Sequence, residues 1–138
     1  MDGYDKQQIG ELLARAAHAL DHRDNGVLAA CFHPEAVFRL EITGNPANEF
    51  EGIEAIMGLI TGAQDAQTNV RRHAITNLWY PETGEREATV VSYVTLCGTE
   101  NGATEVITTG VYTDRVEKAG IDGGWRIKHR SLVLDNAF

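Results

Sequence analysis

Three polar side chains occupy positions that the surrounding pattern reserves for apolar ones. The first is Asp21. The ladder Ile9, Leu13, Ala17 reaches it in steps of four, so a helix that continues this far turns the carboxylate toward its apolar side, where burial without a partner is costly. Two readings stand: Asp21 caps or links a helix junction, a position aspartate favours, or it is a functional acid. The second is His73, which alternates in phase with Ile75, Asn77 and Trp79 along the segment Arg72 to Tyr80 and so belongs among inward-facing residues. An imidazole held by a carboxylate is a suitable general base near neutral pH, because the carboxylate fixes the tautomer and stabilises the imidazolium that forms. Asp21 is a candidate for that carboxylate; the plainer alternative is a core histidine satisfied by a backbone carbonyl. The third is Arg130. The apolar phase of the last strand is Trp125 and Ile127, then Leu132 and Leu134 in the opposite phase, which predicts a bulge or a change of environment near Arg130. Facing inward, its guanidinium would hold an anionic leaving group or an enolate oxygen; facing outward, it is a solvated surface arginine.

Other patterns are weaker. His18 and His22 have the i, i+4 spacing of a metal-binding pair, but no third ligand accompanies them, and two exposed histidines are the default. The run Gly120 to Gly124 lacks the strand-to-helix context of a phosphate loop and reads as a hairpin turn. Tyr80, Tyr93, Tyr112 and Trp79 are candidates to line a pocket, although strand aromatics also serve ordinary packing.

The elements that must position these groups follow from periodicity. Residues 4 to 20 carry apolar side chains at helical spacing. Asp24 is placed to cap a short second helix through Val27, Leu28 and Cys31, which His33-Pro34 ends. Ala36 to Ile42 reads as a strand, Gly44 to Asn48 as a turn, and Gly52-Ile53 to Thr61-Gly62 as a third helix. Beyond residue 70 the period becomes 2, in four long segments: Arg72 to Tyr80, Glu87 to Thr99, Thr104 to Glu117 and Trp125 to Leu134. Turn-forming separators make this an antiparallel meander, with Gly98 and Gly110 as expected bulges. Helices first and strands afterwards imply an α+β class, with a curved sheet and three N-terminal helices around a pocket.

The 138 residues fit one domain, 1–138. Twelve basic against 20 acidic side chains give a net charge of −8, and the bases are not gathered on one face, so nucleic acid is an unsuitable partner. Cys31 and Cys97 lie far apart in apolar segments, as reduced thiols do. With no membrane-spanning run and no signal-peptide pattern at the N-terminus, a cytoplasmic protein is expected.

Several motifs together resemble the SnoaL-like branch of the nuclear-transport-factor-2-like superfamily. They are Ala19-Leu20-Asp21-His22-Arg23-Asp24, Cys31-Phe32-His33-Pro34-Glu35-Ala36-Val37-Phe38, Gly52-Ile53-Glu54-Ala55-Ile56, His73-Ala74-Ile75-Thr76-Asn77, and Gly110-Val111-Tyr112 with Asp122-Gly123-Gly124-Trp125-Arg126-Ile127. The resemblance implies a cone-shaped α+β barrel with a deep apolar pocket, assembled as a dimer or trimer through the outer sheet face. Scytalone dehydratase and hexachlorocyclohexane dehydrochlorinase, in the same branch, use a His-Asp pair to remove a proton, and Asp21 and His73 match that pair. Arg130 matches an arginine of the dehydrochlorinase site. Ala16 stands where the dehydrochlorinase carries lysine and Leu20 where the dehydratase carries tyrosine, which points away from those two substrates.

The resulting expectation is a cofactor-independent lyase, dehydratase or isomerase acting on a small cyclic or polycyclic apolar molecule, with no metal. Two alternatives remain open: a non-catalytic binding or assembly module like the small subunit of a ring-hydroxylating dioxygenase, and a polyketide or terpenoid cyclase.

Overall fold

A computed structural model describes residues 1–119 and 124–138. Helix α1, Gly3–Asp21, starts at Asp2, whose carboxylate accepts the Asp5 amide at 2.9 Å. Its Ile9, Leu12, Leu13 and Ala16 are buried, and each large aliphatic side chain removed from water contributes about 1.5–3 kcal/mol. The helix ends where Arg23 adopts a left-handed conformation (φ +56°) and the Asp24 amide returns to the Ala19 carbonyl at 2.9 Å. Asp24 then caps α2, Asn25–Ala30, by accepting the Val27 amide at 3.3 Å.

Helix α3, Ile53–Ala66, runs past Gly62, where the sequence pattern ends it. The extra turn buries Gln64, whose side-chain amide exchanges two hydrogen bonds with Asn25, at 3.0 and 3.1 Å. That exchange ties α3 to the start of α2 and offsets the weak helix propensity of glycine.

The strands are β1 (Phe32–Ile42), β2 (Asn48–Glu51), β3 (Val70–Thr83), β4 (Glu87–Glu100), β5 (Ala103–Ala119) and β6 (Gly124–Leu134). They form one sheet in the order β2-β1-β6-β5-β4-β3. Among the described residues only the β1–β6 pair is parallel. Among the described residues the terminal strands β2 and β3 have no second partner, so the sheet is open. Two expected boundaries move. His33-Pro34 lies inside β1, in the irregular stretch between the Phe32 and Val37 pairings. Pro81 lies inside β3, an edge strand, within the register shift between the Trp79 and Glu82 pairings, a place where a strand tolerates proline. Of the expected 120–124 turn, only Gly124 lies within the described residues, and it begins β6.

Register shifts decide which side chains face the concave side. In β6, Arg115 pairs with His129 but Val116 with Ile127, leaving Lys128 as an extra residue. Trp125 and Ile127 are therefore buried before it, and Arg130, Leu132 and Leu134 after it. In β3, the pairings Thr76–Tyr93 and Trp79–Val91 likewise leave one residue over, beside the left-handed Asn77 (φ +58°). The inner phase Arg71, His73, Ile75 thus passes to Leu78 and Tyr80, and Trp79 turns outward, 59% exposed. The expected alternation holds for His73 and Ile75 and reverses for Trp79.

A third shift lies between β4 and β5, where Leu96 pairs with Thr108 but Cys97 with Val106, leaving Ile107 over; Gly98, the next residue along β4, pairs with Glu105, so the expected bulge lies one residue away. Gly110 is at no shift and pairs with Val94 and Leu134. Both glycines mark close approaches: a Cβ on Gly110 would lie 2.6 Å from the Val133 carbonyl oxygen, and one on Gly98 2.6 Å from the Ile107 side chain.

Candidate active site

The end of α1 meets the start of β3 at Asp21 and His73. Asp21 Oδ1 lies 2.5 Å from His73 Nδ1, and Oδ2 accepts the His73 backbone amide at 2.9 Å. The two side chains are 7% and 15% exposed, so the carboxylate is withdrawn from water with both oxygens engaged. An anion at the negative end of a helix is unfavourable, and two N–H donors from one residue offset that cost. With Nδ1 turned to the carboxylate, His73 Nε2 has no hydrogen-bond partner among the described residues.

Both residues line a cavity of about 380 Å³ on the concave side of the sheet. Its walls are largely aliphatic, among them Leu13, Leu20, Leu40, Val94, Leu96 and Leu132, a size and character suited to a small apolar molecule.

Arg130 faces the same cavity, on the inner side that the extra Lys128 assigns to it. Its Nε donates to Asp114 Oδ1 at 2.7 Å and its Nη2 to Oδ2 at 3.0 Å, a two-point pairing between buried groups. The guanidinium carbon lies 4.0 Å from the Tyr112 ring centroid and 6.0 Å from that of Phe32. Burial opposes the charge of Arg130, but the Asp114 carboxylate outweighs it and holds the pKa above the ordinary guanidinium value. Burial also pushes the Tyr112 phenol up, with Arg130 pulling it down and Asp114 and Asp21 pushing it up. Tyr112 therefore feels the charges at both ends of the site. Nη1 of Arg130 has no hydrogen-bond partner among the described residues.

The remaining aromatic candidates part company. Tyr112 lines the cavity. Tyr80 packs against α1, its hydroxyl donating to the Lys6 carbonyl at 2.9 Å and Lys6 Nζ lying 5.3 Å from its ring centroid. Trp79 and Tyr93 stand on the outer sheet face, 59% and 52% exposed, because the shift near Asn77 reverses β3 and because Tyr93 alternates with the buried Ser92 and Val94. These three are corrections to the expected pocket. His18 and His22 stack at 6.1 Å, and His22 Nδ1 lies 2.8 Å from the His18 carbonyl oxygen. Among the described residues no cluster of three metal-ligating side chains occurs, and both cysteines are free.

Sequence reasoning missed Arg71 and Arg23, which line the cavity, and Asp114, which holds Arg130 from behind it. Asp114 carried a readable signal, since it alternates with Gly110, Tyr112 and Val116 on the buried face of β5. Arg71 shares the inner phase of His73, two residues before it. Arg23 carried none, because its direction follows from the left-handed turn after α1.

Several solved structures share this architecture over nearly their whole length. A Nostoc punctiforme PCC 73102 protein of unknown function with a cystatin-like fold is 24% identical, with a TM-score of 0.83, covering 100% of this chain and 96% of its own. A Catenulispora acidiphila protein in complex with S-DNPA is 24% identical, with a TM-score of 0.84 and coverage of 97% and 96%. A Novosphingobium aromaticivorans DSM 12444 chain, described as the β subunit of an aromatic-ring-hydroxylating dioxygenase, is 17% identical, with a TM-score of 0.83 and coverage of 98% and 92%. No curated protein matches this chain. Residues 4–131 match the SnoaL-like domain, so the chain belongs to the SnoaL-like family.

Proposed function

We propose that the cavity is the active site of a cofactor-independent lyase, dehydratase or isomerase acting on a small cyclic or polycyclic substrate. The observation that carries this reading is the double attachment of Asp21 to His73, which leaves one imidazole nitrogen unpartnered beside an apolar cavity. His73 Nε2 takes a proton from a carbon next to a carbonyl group, and Asp21 stabilises the imidazolium that forms. The C–H electron pair moves onto the carbonyl oxygen, and Arg130 Nη1, pinned by Asp114, is the donor available to that oxygen. The enolate then either expels a β-hydroxyl group, which leaves as water with the proton returned by His73, or takes the proton back at another carbon. The first outcome is dehydration and the second isomerisation. An aliphatic wall strengthens each charge interaction by excluding water.

The test is turnover of hydroxylated cyclic ketones by the purified chain and its His73→Ala variant. A loss of about a hundredfold or more is expected, within the usual range for a positioned general base. Unchanged rates remove the mechanism. A cyclase reading uses the same proton transfer and is separated from this one by product structure alone.

A second reading is favoured by the outer sheet face, where Trp79 and Tyr93 stand exposed. Such aromatic surface suits association, either between copies as a dimer or trimer or with a larger subunit, as in the dioxygenase β subunit that shares the fold. Asp21 and His73 are then a structural pair. Native mass measurement with and without cell extract decides: a stable larger hetero-assembly supports this reading, and homo-oligomers alone remove its hetero-assembly form.

A further inference from the structure

The cavity is basic in an acidic protein. The chain carries 20 acidic and 12 basic side chains, yet the cavity lining includes Arg23, Arg71 and Arg130 against a single acidic side chain, Asp21. Asp21 is occupied by His73, and Arg130 by Asp114. Arg23 and Arg71 are different. The one described side-chain hydrogen bond of Arg23 runs 3.4 Å from Nη2 to the Gln67 carbonyl, and that of Arg71 runs 3.0 Å from Nε to Asn69 Oδ1. Neither pairs with a carboxylate among the described residues, whereas Arg39, Arg115, Lys118 and Arg130 all do.

Both sit at the mouth. Arg23, Val70 and Phe138 are exposed members of the lining, while Tyr112 and Arg130 are buried at its far end. Arg71 is partly buried without a countercharge, and that burial lowers its pKa. It projects from the same strand face as His73, two residues away, or roughly 7 Å along the backbone at the usual strand rise. Arg23 holds its place at a cost, since its left-handed backbone (φ +56°) suits glycine, the usual residue just past a helix end.

We propose that the cavity takes an apolar ring system bearing a carboxylate, with the ring among the aliphatic walls and the carboxylate at the mouth between Arg23 and Arg71. The proposal rests on the cavity being the substrate site and specifies the substrate's charge. A bound anion supplies the countercharge that both guanidiniums lack, and the spacing along β3 places the ring, one residue pair further in, beside His73. Local positive potential at the mouth also draws an acid in against the field of a chain with net charge −8.

The test is binding, read apart from turnover. 2-Naphthoate and 2-naphthamide, alike in shape and different in charge, are titrated calorimetrically into the full chain. The acid is expected to bind about tenfold tighter, with the preference shrinking as salt rises from 50 to 500 mM. Arg71→Gln is expected to remove most of that preference while leaving the amide's affinity unchanged, and Arg71→Lys to keep part of it. Should Arg71→Gln fail to fold, Arg23→Gln and the salt series on the unaltered chain carry the same test. His73→Ala is expected to keep the preference, so a His73→Ala enzyme that retains turnover sinks the proton-transfer mechanism without touching this proposal. Equal affinities, a tighter amide, no binding of either probe, or an Arg71→Gln effect shared by both probes overturns it.

Discussion

Asp21 gives both of its oxygens to one residue: Oδ2 to the backbone amide of His73 and Oδ1 to its ring at Nδ1. The first bond sets the position of the strand against the helix end, and the second sets the ring and its tautomer. Replacing Asp21 with Asn keeps the size and removes the charge that would stabilise an imidazolium. A fall in kcat of about a hundredfold or more is expected, with little change in KM. ¹⁵N chemical shifts of the His73 ring are expected to report the proton on Nδ1 in the unaltered chain; a proton resident on Nε2 contradicts the assignment of base and orienter.

The Arg130–Asp114 pair is buried on both sides, so breaking it leaves an uncompensated charge. Asp114→Ala is expected to destabilise the fold by about 3–5 kcal/mol in urea unfolding. The double variant Asp114→Leu with Arg130→Met is expected to recover most of that loss, since no charge is then left buried. A double variant as unstable as the single one contradicts this account.

The glycines divide by what surrounds them. Gly110→Ala drives a methyl group to 2.6 Å from a backbone oxygen and is expected to cost about 1–3 kcal/mol. Gly58 and Gly62 lie on the exposed side of α3 with open space around them, so each change to Ala is expected to add about 0.5–1 kcal/mol. Thermal melts of the three variants check both signs.

Asp5 links the first turn of α1 to the far end of the sheet, accepting from Trp125 Nε1 at 3.2 Å and Lys118 Nζ at 3.4 Å. Burial pushes its carboxyl up, but the hydrogen bonds from Trp125 and Lys118 outweigh that and hold it below the ordinary aspartate value. The folded value is lower than the unfolded one, so this contribution is fully present above the unfolded value and is lost as pH falls through the folded one. Asp5→Asn is expected to lower stability at neutral pH and to flatten the acid side of the stability profile below about pH 4. An unchanged acid slope rules out the contribution.

How much was legible in the sequence depended on how local the cause was. The 3.6 period of Ile9, Leu12, Leu13 and Ala16 and the 2.0 period of β4 and β5 are properties of consecutive residues, and they marked the helix, the strands and the α+β class. The anomalies Asp21, His73 and Arg130 were visible for the same reason: each breaks a pattern set by its own neighbours. The phase reversal around Arg130 even announced a bulge, which falls at Lys128.

Relations between strands were decided only in three dimensions. A single extra residue beside Asn77 turns Trp79 out of the expected pocket, and nothing in the local alternation announces it, because a bulge is a property of two paired strands. Asp114 became the partner of Arg130 because β5 and β6 pair in the register that sets these residues opposite one another. Arg23 reached the cavity mouth through one left-handed residue. The sequence by itself determined which side chains are out of keeping with their surroundings, since that is a matter of spacing along one element. Which of them meet, and what they leave unpaired, was decided by the tertiary structure, because register and helix ends place side chains that no single period relates.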